Sequence, residues 1–108
     1  MNVTDKFEQL KLGYLRSLAA KSAEIDSYWE RVLETNFDSG ALCDLKAVVH
    51  RISGSAGIYG LDDVSACAQR VDQQLTDPGD ADHGWRANLE HSVRDLLKRL
   101  EESADLHR

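Results

Sequence analysis

His50 is the residue whose type and surroundings best support covalent chemistry. It lies in the segment 46–60, which is rich in small residues and reads KAVVHRISGSAGIYG. A neutral imidazole is a nucleophile near physiological pH, and it can hold a phosphoryl group as a covalent intermediate. Because phosphoryl transfer proceeds in line, the acceptor nitrogen must reach a partner's active site without obstruction. The sequence therefore raises the hypothesis of a phosphoryl-carrying histidine.

A helical wheel places His50 opposite the apolar side of its segment. At about 100° per residue, the apolar side consists of Leu45, Val48, Val49, Ile52 and Ala56. His50 projects from the other side, and Arg51 leans sideways from it. We predict that His50 is the reactive residue and that its mostly small neighbours form a partner-binding surface consisting of Cys43, Lys46, Ala47, Arg51, Ser53, Gly54 and Gly57.

Gly54 and Gly57 support this hypothesis because they make the helix less stable. Each glycine inside a helix costs about 1 kcal/mol relative to alanine. A local loss of this kind tends to mark a functional position. Two reasons could compensate for the loss. Small residues toward the core let helices pack closely, and small residues on the outer face would leave the imidazole accessible to a second protein.

The other potential ligands and nucleophiles have no supporting pattern. His83 is predicted in a loop, His91 on a charged helix and His107 near the end of the chain, without zinc-ligand spacing. The two cysteines, Cys43 and Cys67, are far apart and form no C-x-x-C motif, so we expect reduced thiols packed on helices. We predict no metal, no cofactor and no enzyme activity.

The elements that must position His50 are predicted to be helices. The chain has one proline and lacks alternating β-branched runs. Apolar spacing predicts helices over 4–35, 39–58, 61–76 and 84–104, with Thr4 and Ser39 as N-caps. A break near Lys21 and Ser22 is left open. The predicted fold is an all-α, antiparallel four-helix bundle that forms a single domain over residues 1–108.

Charge and hydropathy exclude several classes of partner. The net charge of −6 disfavours nucleic acid and anionic membranes, because both require a concentrated positive surface. No apolar run approaches the roughly 20 residues that cross a bilayer, and the N-terminus lacks a secretory pattern. We expect a cytoplasmic monomer, and the start at Met1 with a polar tail favours a free-standing protein.

The segment from His50 to Gly60 resembles the histidine phosphotransfer family, whose signature is roughly His-x-Leu-Lys-Gly-Ser-Ala-x-x-x-Gly. The sequence here is HRISGSAGIYG, and the segment 61–72 is similar to the family's third core helix. The resemblance implies that His50 is phosphorylated, that Gly54 keeps the ring accessible and that Gly60 closes the motif. It also implies exchange with receiver-domain aspartates and sensor or hybrid histidine kinases, without ATP binding.

One position departs from this family pattern. The family usually has lysine three residues after the histidine, and Ser53 occupies that position here. Serine donates a hydrogen bond but brings no charge. Lys46, one turn earlier on the same face, is our hypothesis for the compensating cation.

Three alternatives compete with a phosphocarrier. A helical adaptor that binds a receiver or kinase without taking phosphate is motivated by Ser53 alone. The dimerising hairpin of a sensor kinase typically has an acidic residue after its histidine and a nearby proline, whereas Arg51 follows here and no proline is close. A helical enzyme would need a nucleophile, base and orienting group at recognisable spacing, which the sequence lacks.

Overall fold

The chain folds into helices throughout the part that the structure describes. The computed structural model describes residues 3–77 and 83–106, and these contain five α-helices and no strand. The helices are α1 (Val3–Arg16), α2 (Leu18–Glu34), α3 (Ser39–Ile58), α4 (Asp62–Thr76) and α5 (His83–Leu106). The all-α prediction is confirmed. The Pro78 segment at 78–82 and His107 lie outside the described residues.

The predicted count of four helices is not confirmed, because the first predicted range contains two helices. The interruption falls at Ser17 rather than near Lys21 and Ser22. The Ser17 hydroxyl donates to the carbonyl of Tyr14 at 2.6 Å, and the Ser17 amide donates to the same oxygen at 3.0 Å. Serine that bonds back to the preceding turn disturbs the regular i to i−4 pattern. Ser22, in contrast, is buried inside α2.

The remaining helices lie close to their predicted ranges, and their caps differ in detail. Helix α3 has the bounds predicted for 39–58, and α4 begins one residue later than predicted. Helix α5 runs from His83 to Leu106, so His83 begins a helix instead of lying in a loop. The N-cap of α3 is Asp38, not Ser39, since the Asp38 carboxylate accepts from the amides of Gly40 and Ala41. Thr4 lies inside α1 instead of capping it.

Residues with positive φ follow α2 and α3. They are Asn36 and Phe37 after α2, and Gly60, with φ of +79°, after α3. The Gly60 amide donates to the carbonyl of Gly57. The next amide, of Leu61, reaches back to Ala56, which completes a Schellman motif. The tight reversal over residues 59–61 brings α4 back alongside α3.

Four helices surround the core. Helix α2 packs against α3 and α5, and α4 packs against the same two helices, so α2–α5 form a closed ring. Fully buried aliphatic side chains fill the centre, and the largest of them are Leu18, Ile25, Leu45, Leu89, Leu96 and Leu100. Helix α1 extends one end of this ring, and its Phe7 and Leu10 side chains are exposed.

Candidate functional site

His50 projects into solvent from the middle of α3. Its side chain is 73% exposed, while Val49 and Ile52 on the same helix are buried. The burial of the apolar side of α3 against the core fixes the direction in which His50 points. The imidazole therefore stands on the surface of a helix whose opposite side is packed in the core.

Asp72 of α4 holds one nitrogen of this ring. Its Oδ2 lies 2.9 Å from Nδ1 of His50, and the Asp72 side chain is only 20% exposed. Because an ionised carboxylate can only accept, this contact favours the tautomer in which Nδ1 carries the proton. The lone pair then lies on Nε2, which makes no hydrogen bond to any described residue.

The second oxygen of Asp72, Oδ1, is buried and lacks a hydrogen-bond donor among the described residues. A buried acceptor that is left unsatisfied costs roughly 1–3 kcal/mol. The Asp72 carboxylate thus places negative charge beside Nδ1, where a cationic ring would be stabilised.

Gly54 and Gly57 lie in different surroundings. A Cβ atom built on Gly54 meets nothing within 4 Å, whereas one on Gly57 would lie 3.4 Å from Oγ of Ser65. Gly54 thus keeps open space one turn from His50. Gly57, although exposed, allows close approach of α4.

The other predicted surface residues divide into two groups. Cys43 and Ala47 are exposed, and Lys46 is half-buried. The side chains of Cys43 and Lys46 make no hydrogen bond or ion pair with a described residue. The Ser53 hydroxyl, by contrast, donates to the carbonyl of His50 at 2.8 Å, so it is engaged with the backbone. Arg51 turns toward α2, where its guanidinium lies 4.0 Å from Glu24.

A groove of about 280 Å³ lies beside Arg51, between α3 and the first two helices. Tyr14 and Ser55 are hydrogen-bonded at 2.7 Å across it. Since Ser55 donates to the carbonyl of Arg51, the Tyr14 hydroxyl is the donor to Ser55. Burial raises the pKa of Tyr14, which keeps the phenol protonated in that role.

Sequence reasoning missed Asp72 and Ser65. Both lie on the side of α4 that faces α3, seven residues apart and hence two turns apart. The available signal was the α3–α4 turn itself, because residues equally far before and after a tight reversal lie opposite one another. Applied to His50, this rule points to the region of Asp72.

No metal site accompanies the histidine in the part of the chain that the structure describes. No three His, Cys, Asp or Glu side chains there are grouped to hold an ion. None of the described helices is long and apolar enough to cross a membrane.

The described part of the chain thus combines a helical architecture with an exposed, carboxylate-bonded histidine. The family model described as the Hpt domain matches residues 9–105, which is most of the 108-residue chain. The chain therefore belongs to the Hpt domain family. Comparisons with curated proteins and with solved structures gave no significant match.

Membership of this family determines the general role of the chain. Hpt domains are phosphocarrier modules of two-component phosphorelays and do not use ATP. They interact with receiver domains and histidine kinases. The chain is thus related to phosphorelay signalling at the level of the family.

Proposed function

We propose that His50 accepts a phosphoryl group from a receiver-domain aspartate, or from a histidine kinase, and passes it on. The observation that supports this most is the pairing of an exposed ring with Asp72 at Nδ1. A fixed Nδ1 proton leaves Nε2 as the nucleophile, and the exposed ring gives that atom access to a docked partner.

The transfer step follows from this tautomer. The Nε2 lone pair of His50 attacks phosphorus while the bond from phosphorus to the aspartate oxygen breaks, and that electron pair returns to the aspartate carboxylate. The ring becomes positively charged, with its proton still on Nδ1 and bonded to Asp72. The negative charge of Asp72 stabilises this cation, and the reverse transfer follows the same path.

Lys46 is our proposed cation for the phosphoryl oxygens. Ser53, at the position of the family's lysine, is uncharged and donates to the backbone. Among the basic residues of α3, Arg51 faces Glu24, whereas Lys46 has no ion pair with a described residue. Lys46 is therefore available to an arriving phosphoryl group.

Transfer from a radiolabelled, phosphorylated receiver domain tests the proposed function. We expect a label on this chain that is lost in acid and stable in base, which is absent from His50→Gln. His91→Gln is the matched control, since His91 is an exposed histidine on α5. Phosphorus NMR should place the group on Nε2. Binding without label would instead support the adaptor alternative.

The same proposal includes the arrangement of the whole chain. We infer an antiparallel bundle of α2–α5, since Arg31 near the end of α2 lies 3.8 Å from Asp44 near the start of α3, and similar pairing joins Glu24 to Arg51. We further propose one domain over residues 1–108, acting as a monomer in the cytoplasm. Light scattering of the purified chain tests the monomer.

A further inference from the structure

Ser65 forms a buried polar link from α4 to the backbone of α3. Its hydroxyl donates to the carbonyl of Ser53 at 2.8 Å and accepts from the Gln69 amide nitrogen at 3.3 Å. Ser65 itself is buried. Ser53 lies one turn after His50, so this link joins the two helices close to the reactive histidine.

Gly57 lies beside this link. A Cβ on residue 57 would lie 3.4 Å from Oγ of Ser65, at ordinary contact distance. The second glycine of the motif thus faces the helix interface.

The exposed bond between His50 and Asp72 needs such a link. Sliding α4 by one residue moves its side chains by about 1.5 Å along the axis. A shift of this size along the line that joins the two atoms would stretch the 2.9 Å contact beyond hydrogen-bonding range, and a sideways shift would lengthen and misalign it. An exposed polar pair contributes little by itself to holding two helices in place, and apolar packing is not directional. The buried hydroxyl–carbonyl bond is directional.

We propose that Ser65 is a positioning residue for phosphotransfer. It holds α3 and α4 in the register at which Asp72 meets Nδ1 of His50, and so it keeps Nε2 free as the nucleophile. This inference rests on the proposed function of His50. It assigns a role in transfer to a side chain that touches neither the ring nor the phosphoryl group.

Ser65→Ala tests the proposal with two measurements. Imidazole nitrogen NMR should show a smaller fraction of the Nδ1-protonated tautomer of His50. The initial rate of transfer from a labelled receiver should fall roughly threefold to tenfold, as expected for coupled neighbours. Ser92→Ala removes another buried serine, on α5, and should change neither measurement. Denaturant unfolding of both variants compares their stability.

A double-mutant cycle with Asp72→Asn separates positioning from general destabilisation. If Ser65 acts through Asp72, Ser65→Ala should slow transfer no further in the Asp72→Asn background. The proposal would be overturned if Ser65→Ala slowed transfer as much in the Asp72→Asn background as in the wild type. It would also be overturned if Ser65→Ala left the tautomer of His50 unchanged. Failure of the wild-type chain to take label would instead refute the proposed function, and the tautomer measurement would still test the role of Ser65.

Discussion

Gly54 lies one turn from His50, inside a helix that glycine makes less stable. Its surroundings leave room for a side chain, since a Cβ there meets nothing within 4 Å. The fold therefore does not require glycine at this position. We therefore propose that glycine at this position leaves space for a partner that approaches His50.

We predict that Gly54→Ala makes the protein more stable and less active. Helix propensity should raise the free energy of unfolding by about 0.8–1 kcal/mol. Transfer to His50 should slow, and it should slow further in Gly54→Leu as the side chain grows beside the ring. Urea unfolding and labelled transfer from a receiver measure the two effects.

Gly13→Ala is the matched control, because Gly13 is also helical and has nothing within 4 Å of its Cβ position. It should give a similar gain in stability with an unchanged transfer rate. Equal rates for Gly54→Leu and the wild type would show that the open space beside His50 is not needed.

The charge of Lys46 leads to a second prediction at this scale. Lys46→Ala should slow transfer about two- to fivefold, since an exposed charge pair contributes roughly 0.2–1 kcal/mol. Lys98→Ala removes an exposed lysine on α5 and corrects for the change in net charge. The hypothesis fails if Lys46→Ala and Lys98→Ala transfer at the same rate.

At the scale of the elements, the accuracy of prediction followed the strength of the local signal. The bounds of α3 were predictable because apolar spacing and its flanking breakers agree. The interruption at Ser17 was not, because Ser17 and Ser22 are both serines within one continuous apolar pattern. Only the folded structure distinguishes the two serines. The Ser17 hydroxyl donates to the carbonyl of Tyr14, whereas the Ser22 side chain is buried.

In the candidate site, too, some features follow from one helix alone and others depend on how two helices pack. The wheel of one helix predicts the direction of His50, since it depends only on local periodicity. Asp72 and Ser65 depend on how α4 lies against α3, which is a property of the pair. Gly57 was grouped with Gly54 because the wheel cannot tell solvent from a neighbouring helix.

The cap of α3 leads to a prediction about the element that carries His50. Asp38→Ala should lower the free energy of unfolding by about 1 kcal/mol, because the carboxylate accepts from two amides that otherwise lack partners. Ser39→Ala is the control, since Ser39 is the first residue of the helix and not its cap. Urea unfolding that ranks Ser39→Ala as the more damaging change would contradict this assignment.

For the whole molecule, a polar cluster joins α4 to α5 on the side of α4 away from the histidine. The Cys67 thiol donates to Oδ2 of Asp95 at 3.2 Å, and Arg70 and Arg99 lie within 4 Å of the same carboxylate. Burial, followed by the bond to Asp95 and its charge, raises the pKa of Cys67 above its ordinary value of 9.0. The folded state therefore holds this proton more tightly than the unfolded chain.

This difference in proton affinity predicts alkaline destabilisation. The stabilising contribution is fully present below the ordinary thiol pKa of 9.0 and is lost as the pH rises through the higher pKa of the folded state. The free energy of unfolding should thus decline above that pH, and Cys67→Ser should show a shallower decline because serine does not titrate there. Cys43→Ser should decline like the wild type, since the exposed Cys43 side chain changes environment little on unfolding. Urea unfolding in reducing buffer at a series of pH values measures these slopes, and equal slopes for Cys67→Ser and Cys43→Ser would contradict the assignment.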